Sequence, residues 1–259
     1  MDISLKGKTA LVCGSTQGIG KAAAIELASL GASVILIARS EEKLKATLKE
    51  LPPASVPHSY IVADFSDAPI LKSALKKLDE ITVHILVNNT GGPPSGPIVN
   101  AKEEEFLQAF NNHLVCNHIL AQKVIPSMKA AGYGRIINVI STSVKIPLKN
   151  LGVSNTIRAA VANWSKTMAN ELAAFGITVN NVLPGATHTQ RLQSIMETKS
   201  ANTKVAFDEV REEMIEEIPM KRFAKPEEIA NAIAFLASPA ASYITGINIP
   251  VDGGRTGCL

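Results

Sequence analysis

A glycine-rich segment near the N-terminus carries the clearest chemical signal in the sequence. Glycines occupy positions 14, 18 and 20, after the apolar run Thr9–Cys13 and before an alanine-rich helical pattern. In such a strand–turn–helix unit, glycines permit the tight turn, the approach of a pyrophosphate and the packing of helix on strand. The helix N-terminus adds free N–H groups and a positive dipole end. The spacing predicts a dinucleotide site formed by Gly14, Ser15, Thr16, Gln17, Gly18, Ile19 and Gly20.

The elements that position this turn alternate along the whole chain. Runs rich in valine and isoleucine predict buried strands at Thr9–Cys13, Ser33–Ala38, Ser59–Val62, 83–87, 135–140, 178–182 and 246–251. Helical patterns span 18–30, 41–51, 68–78, 102–129, 154–175 and Pro226–Ala237. This alternation predicts an α/β single-domain Rossmann fold over residues 1–259, with a doubly wound parallel sheet of about seven strands and helices on both faces. The polar segment 185–222 contains no predicted strand and is expected to form a lid.

Composition excludes several classes of function. The formal net charge of +3 is too small to indicate a nucleic-acid partner. Cys13, Cys116 and Cys258 lie far apart without a CxxC pair, which argues against disulfides or a metal site and fits a reducing cytoplasm. No apolar run approaches the roughly 20 residues needed to span a bilayer, so no membrane partner is expected. We therefore expect a soluble, cytoplasmic protein.

The order of motifs resembles the short-chain dehydrogenase/reductase family. The GxxxGxG spacing is similar to that family's cofactor turn, with Cys13 where threonine is usual, and residues 88–91, Asn-Asn-Thr-Gly, resemble its NNAG motif. The C-terminal stretch 222–254 is similar to 3-oxoacyl-acyl-carrier-protein reductases. The resemblance implies a nicotinamide dinucleotide contacted by Asp64, Phe65, Asn88, Gly91, Pro184, Gly185, Thr187 and Thr189.

The residues after the second predicted strand bear on which nicotinamide cofactor is bound. A carboxylate there would bind both ribose hydroxyls of NAD and repel a 2′-phosphate. This chain has Arg39 and Ser40 instead. Because a guanidinium can fork onto a phosphate and a hydroxyl can add a hydrogen bond, the sequence predicts NADP, with NAD less favoured.

The resemblance also implies a set of catalytic positions. Members of the family usually hold a serine after the fifth strand, a Tyr-x-x-x-Lys pair on the next helix and an asparagine on the preceding helix. Without a gap, the serine position is Ser141, the tyrosine position is Ser154 and the lysine position is Arg158. The asparagine position is His113, next to Asn112. These four residues are the predicted catalytic set, and Arg158 is also expected to bind the cofactor ribose.

The loss of the Tyr/Lys pair leaves three interpretations open. A serine hydroxyl is a far weaker acid than a phenol, and arginine stays protonated and cannot act as a general base. Another group could donate the proton, with candidates at His113, Lys145, Lys149 and His188. Water or an acidic substrate could donate it instead. In the third interpretation, the protein binds a dinucleotide without transferring hydride.

The predicted function is therefore an NADP-dependent oxidoreductase that acts on a carbonyl or hydroxyl group and is catalytically atypical. Its expected partner is a small-molecule or acyl-thioester substrate. The alternative is a dinucleotide-binding or regulatory protein that has lost hydride-transfer chemistry. The resemblance also implies a homo-oligomer, a tetramer or a dimer, built on the two long helices and the last strand.

Overall fold

Seven parallel strands form one sheet in the computed structural model, which describes residues 1–258. In chain order they are β1 (Thr9–Cys13), β2 (Ser33–Ala38), β3 (Ser59–Val62), β4 (Ile85–Asn88), β5 (Gly134–Val139), β6 (Ile177–Pro184) and β7 (Asn248–Val251). Their spatial order is β3-β2-β1-β4-β5-β6-β7. The strand order therefore reverses between β1 and β4, and the crevice at the carboxyl ends of such strands is where doubly wound sheets bind ligands.

Helices cover both faces of this sheet. Their bounds are α1 (Gly18–Ser29), α2 (Glu41–Glu50), α3 (Ala68–Ala74), α4 (Glu103–Phe110), α5 (Cys116–Ala131), α6 (Gly152–Leu172), α7 (Gln190–Thr203), α8 (Phe207–Glu216) and α9 (Pro226–Ala237). Side chains alternate along each strand, so the sheet supplies two apolar cores. Val12 and Leu36 face α1 and α9, whereas Leu11 and Ile35 face α3, α5 and α6. The predicted Rossmann architecture is confirmed.

The long helix predicted over 102–129 contains an interruption. Between α4 and α5 the backbone forms a π turn over Asn111–Val115, which holds His113. Such a turn inserts one extra residue into the helical repeat and is frequent at functional sites. A pattern of apolar residues cannot locate the insertion, because the flanking turns keep their ordinary periodicity.

The segment 185–222, predicted to be a lid, folds into α7 and α8. Its residues Leu192, Met196, Val210 and Ile218 form a small apolar core together with Phe223, the next residue along the chain. Thr189 caps α7, because its hydroxyl accepts a hydrogen bond from the backbone N–H of Leu192 at 3.3 Å. The segment is therefore a packed helical unit beside the carboxyl edge of the sheet.

Candidate active site

A cavity of about 1340 Å³ opens at the carboxyl edge of the sheet. Its walls are formed by the loops that follow the first six strands and by α7. Most residues predicted to bind the cofactor line it: Gly14, Thr16, Gln17, Gly18, Ile19, Arg39, Ser40, Asp64, Phe65, Gly91, Pro184, Gly185, Thr187 and Thr189. Ser141, Ser154 and Arg158 line the same cavity. The fold thus gathers residues that lie far apart in the sequence into one site.

The glycine turn leaves no room for side chains. Gly14 has a φ of +58°, and a Cβ added there would lie 2.6 Å from the carbonyl oxygen of Asn89. A Cβ on Gly20 would lie 2.2 Å from the carbonyl oxygen of Gly14. Since real Cβ atoms do not make such contacts, both positions require glycine. The turn and the N-terminus of α1 together have the form that a dinucleotide pyrophosphate needs.

Two residues of the predicted turn support it from behind the cavity. Ser15 is fully buried, and its hydroxyl lies 3.5 Å from the carbonyl oxygen of Ile37. Gly20 is buried within the first turn of α1. Neither residue lines the cavity, so both shape the turn without facing a ligand.

Basic groups surround the end of the cavity beyond β2. Arg39 is exposed, and the backbone N–H of Lys43 donates to the Ser40 hydroxyl at 3.3 Å. Ser40 therefore caps α2 and keeps its own hydroxyl proton available for a ligand. The pKa of Asp64 is lowered, mainly by the backbone N–H of Ser66 and also by the charge of Arg39. These positions suit a 2′-phosphate beside an adenine.

Asn88 lies away from the position expected for it. Its side chain is buried in the sheet and donates to Asn138 Oδ1 at 2.8 Å, and it does not line the cavity. The neighbouring Asn89 does line the cavity and donates to the carbonyl oxygens of Cys13 and Gly14 at 3.3 and 3.4 Å. Because side chains alternate at a strand end, a shift of one residue exchanges sheet contact for ligand contact. Asn88 is thus a sheet residue, and the sequence prediction omitted Asn89.

Ser141 and Ser154 approach the cavity from two directions. Ser141 follows β5, and its hydroxyl accepts from the backbone N–H of Ser143 at 3.1 Å. Ser154 lies in the first turn of α6, and Arg158 lies one turn later on the same face. The helix therefore presents a hydroxyl and a guanidinium side by side to the cavity, opposite the end of β5.

Arg158 is buried with an incomplete set of partners. It is only 7% exposed, its Nη1 donates to the carbonyl oxygen of Val139 at 3.1 Å, and its Nε has no hydrogen-bond partner. Burial, with a smaller effect of the Arg191 charge, lowers its pKa to about 10. The guanidinium remains charged at neutral pH and can donate hydrogen bonds, but it cannot accept a proton.

His113 does not line the cavity. It is 2% exposed, and its Nδ1 lies 2.5 Å from Oγ1 of Thr90, which does line the cavity. Burial, together with the charges of Arg158 and Arg191, lowers the pKa of His113 to about 2. The imidazole is therefore neutral at physiological pH. The structure therefore places His113 behind the cavity wall, hydrogen-bonded to Thr90, and not among the side chains that line the cavity.

The other candidate proton donors are Lys145, Lys149 and His188, and they differ in whether they line the cavity. Lys149 lines the cavity, whereas Lys145 and His188 do not. His188 is exposed and packs its ring edge-on against Phe223, with ring centres 5.3 Å apart. Of the candidates named from the sequence, only Lys149 is placed to meet a ligand directly.

Two residues of the cavity, Arg191 and Asn112, are not among the site residues predicted from the sequence. Arg191 lines the cavity and donates from Nη2 to the carbonyl oxygen of Pro93 at 2.6 Å. Asn112 lines it as well, and its Oδ1 is buried without a partner. No local motif marks Arg191, and the π turn decides that Asn112 lines the cavity while His113 does not.

Two further features are absent from residues 1–258. Within these residues, no group of three or more His, Cys, Asp or Glu side chains is arranged to hold a metal ion. No helix in the same part of the chain is both long enough and apolar enough to cross a membrane.

Comparison with known proteins agrees with the class defined by this fold and cavity, a dinucleotide-binding oxidoreductase. A family model described as enoyl-(acyl carrier protein) reductase matches residues 14–256. The chain belongs to the short-chain dehydrogenase/reductase family. It is 37% identical to the 3-oxoacyl-[acyl-carrier-protein] reductase of Rickettsia bellii over 254 residues, covering 97% of this chain and 98% of the relative.

Solved structures of reductases share the whole fold. L-sorbose reductase from Gluconobacter frateurii, complexed with NADPH and L-sorbose, superposes with a TM-score of 0.92 at 30% identity over 100% of both chains. YwfH, an NADPH-dependent reductase involved in bacilysin biosynthesis, gives a TM-score of 0.91 at 31% identity over 97% of this chain and 99% of the other. Both similarities extend over the glycine turn and the segment that contains α7 and α8.

Proposed function

We propose that this protein is an NADPH-dependent reductase that acts on the carbonyl group of a small molecule or an acyl thioester. The observation that carries the proposal is one cavity lined by the glycine turn, by Arg39 and by Ser141. Relatives that share the fold are NADPH-bound reductases or 3-oxoacyl-carrier-protein reductases by name, which supports both the cofactor and the reaction type.

The cofactor would be held by groups spread along the carboxyl edge of the sheet. Backbone N–H groups at the start of α1 would bind the pyrophosphate, and Arg39 with Ser40 would bind the 2′-phosphate. Pro184, Thr187 and Thr189 would meet the carboxamide of the nicotinamide. When bound, NADPH supplies a hydride, and all other steps depend on groups of the chain or on water.

Catalysis would depend on charge stabilisation more than on an acidic side chain. The hydroxyls of Ser141 and Ser154 can donate to the substrate oxygen. The charged guanidinium of Arg158 lies in a desolvated wall, where it stabilises the negative charge that develops on that oxygen. Because Arg158 keeps its proton and His113 is buried and neutral, the proton would come from water in the open cavity or from the ammonium of Lys149, which lines it. This arrangement makes the enzyme atypical for its family.

A fluorescence titration of the purified protein with NADPH and NADH tests the cofactor assignment. We expect tighter binding of NADPH, and we expect Arg39→Glu to weaken NADPH while leaving NADH unchanged or improved. Lys199→Met serves as a control, because Lys199 also lines the cavity but is paired with Glu213 at 2.7 Å. Equal affinity of the two cofactors for the natural protein would refute the phosphate assignment.

Turnover separates the reductase from a protein that only binds the dinucleotide. NADPH oxidation is measured with a panel of ketones and acyl thioesters for the natural protein, Ser154→Ala and the double variant Ser154→Tyr/Arg158→Lys. Turnover by the natural protein that falls in Ser154→Ala supports the proposal. Activity found only in the double variant would favour a binding or regulatory role, which the loss of the Tyr/Lys pair motivates.

We also propose that the chain forms a dimer or a tetramer. Apolar side chains are exposed on and near α4, with Val99 87%, Leu107 70% and Phe110 42% exposed. Tyr243, fully exposed, and Ile247, 39% exposed, precede β7. Light scattering at several concentrations tests this, with Leu107→Glu as the disrupting variant. A monomer at all concentrations would contradict the proposal.

A further inference from the structure

The cavity is strongly basic, and most of its basic groups have evident roles. Seven basic and two acidic side chains line it. Lys199 pairs with Glu213, and Arg255 pairs with Glu217, which is one of the two acids. Arg39 and Lys43 lie at the end proposed for the cofactor phosphate. Three basic residues remain at the other end: Lys149, Arg158 and Arg191.

Two of these residues are arginines, Arg158 and Arg191, which line the same cavity from α6 and α7. The charge of Arg191 lowers the pKa of Arg158, and both charges act on His113. Neither guanidinium has a carboxylate within salt-bridge distance among residues 1–258: Arg158 bonds to the carbonyl of Val139 and Arg191 to that of Pro93. Their other donors are left for a further acceptor, and Arg158 Nε is buried without one.

Such an arrangement is unfavourable for the empty protein. Two desolvated like charges repel each other, and a buried donor without a partner costs about 1–3 kcal/mol. A bound anion would offset both costs. Guanidinium groups present parallel N–H donors that match the paired oxygens of a carboxylate or a phosphate. Arg191 also lies in the first turn of α7, where the helix dipole favours negative charge.

We propose that the substrate carries an anionic group, a carboxylate or a phosphate, which is bound between Arg158 and Arg191. The term substrate rests on the reductase function proposed above, whereas the anion site itself does not. The carbonyl to be reduced would then lie near Ser141 and Ser154, with the anionic group directed towards α7. Because a guanidinium has five N–H donors, Arg158 would lie between the two groups and contact both the carbonyl oxygen and the anion. A neutral ketone lacks the group that this end of the cavity binds.

Anion binding is measured by calorimetry, which needs no turnover. The natural protein is saturated with NADP⁺, so that the phosphate end is filled, and titrated with malonate, inorganic phosphate and neutral dimethyl malonate. Malonate and phosphate distinguish a carboxylate from a phosphate site. We expect at least one anion to bind and the diester not to bind. Arg191→Met should weaken that anion roughly 30-fold or more, the effect of removing one partner of a desolvated charge pair.

Matched variants separate this site from the cofactor site and from nonspecific charge. Arg211→Gln removes a surface arginine that pairs with Glu212 outside the cavity, and it should bind the anion as the natural protein does. Arg191→Met should bind NADPH with unchanged affinity. Arg191→Lys should recover part of the anion affinity, since it restores the charge without the fork. Circular dichroism establishes that each variant is folded.

Several results would overturn the inference. The inference fails if neither malonate nor phosphate binds to the natural protein. It also fails if Arg191→Met binds the anion as tightly as the natural protein does, or if that variant loses affinity for NADPH. A turnover arm compares acetoacetate with methyl acetoacetate, and we expect the higher kcat/KM for the acid, with the preference lost in Arg191→Met. If anions bind but no carbonyl compound is reduced, the reductase proposal fails while the anion site stands.

Discussion

Lowering the pH from 7 to 5 is expected to destabilise the protein through His113. A histidine in the unfolded chain titrates near pKa 6.5. In the folded protein, burial and then the charges of Arg158 and Arg191 lower the pKa of His113 to about 2. Between these two values the unfolded chain binds one proton more than the folded chain. The stability is therefore fully present above pH 6.5 and is lost as the pH falls below it.

The size of this effect follows from the shift. Each pH unit below 6.5 removes about 1.4 kcal/mol of unfolding free energy per proton. At pH 5 the loss amounts to about 2 kcal/mol relative to pH 7. For a chain of this size such a change lowers Tm by roughly 4–8 °C. The result depends little on the folded pKa, provided that this pKa lies well below 5.

The assay compares the natural protein with His113→Asn and with His118→Asn, which alters an exposed histidine. Urea unfolding is followed by circular dichroism at several pH values from 5 to 8. Titratable groups that all three proteins share contribute equally to the unfolding free energy, so their contributions cancel when the curves of free energy against pH are subtracted. The advantage of the natural protein over His113→Asn should shrink by about 2 kcal/mol between pH 7 and 5, and by more than its advantage over His118→Asn. A constant difference from His113→Asn would show that His113 takes up protons in the folded state as it does in the unfolded chain, which would contradict this prediction.

Three further predictions concern the turn, the sheet and the thiols. Gly20→Ala should abolish NADPH binding in a fluorescence titration, because its Cβ would lie 2.2 Å from the carbonyl oxygen of Gly14. Asn138→Leu should cost about 3–5 kcal/mol in urea unfolding, since it leaves several buried polar groups without their partners. A thiol reagent at pH 8 should label only Cys258, which is exposed. Burial raises the pKa of the Cys116 thiol to about 11, and burial also raises the pKa of the Cys13 thiol.

Each of these predictions has a control within the chain. Gly257→Ala, where an added Cβ meets nothing within 4 Å, should bind NADPH normally. Asn170→Leu on the exposed side of α6 should leave the unfolding free energy nearly unchanged. The Cys258→Ser variant should not react with the thiol reagent until denaturant is added. Normal NADPH binding by Gly20→Ala would contradict the first prediction. A small change of unfolding free energy in Asn138→Leu would contradict the second, and rapid labelling of a second thiol would contradict the third.

The sequence alone determined the strands of the sheet and the cofactor turn. Predicted bounds of β1, β2 and β3 agree with the structure, because each strand is a short run of β-branched and other apolar residues bounded by polar or turn residues. The glycines at 14 and 20 could be assigned because their constraint is local, a strand followed at once by a helix. Ser141, Ser154 and Arg158 could be placed because the motif carries over without a gap.

Which of two neighbouring residues faces the cavity depends on the folded structure and not on the local sequence. Side chains alternate at the end of β4, so that Asn89 lines the cavity and Asn88 is hydrogen-bonded within the sheet. In the π turn, one inserted residue exposes Asn112 to the cavity and buries His113 against Thr90. A single residue of register reverses such an assignment, and no sequence pattern specifies it.

The pairing of Arg158 with Arg191 also belongs to the tertiary structure. These arginines lie on α6 and α7, and the chain between them includes all of β6. Both side chains line one cavity because the segments that follow the strands of a parallel sheet come together at its carboxyl edge. The glycine turn could thus be recognised from seven consecutive residues, whereas the charge at the substrate end exists only once the chain has folded.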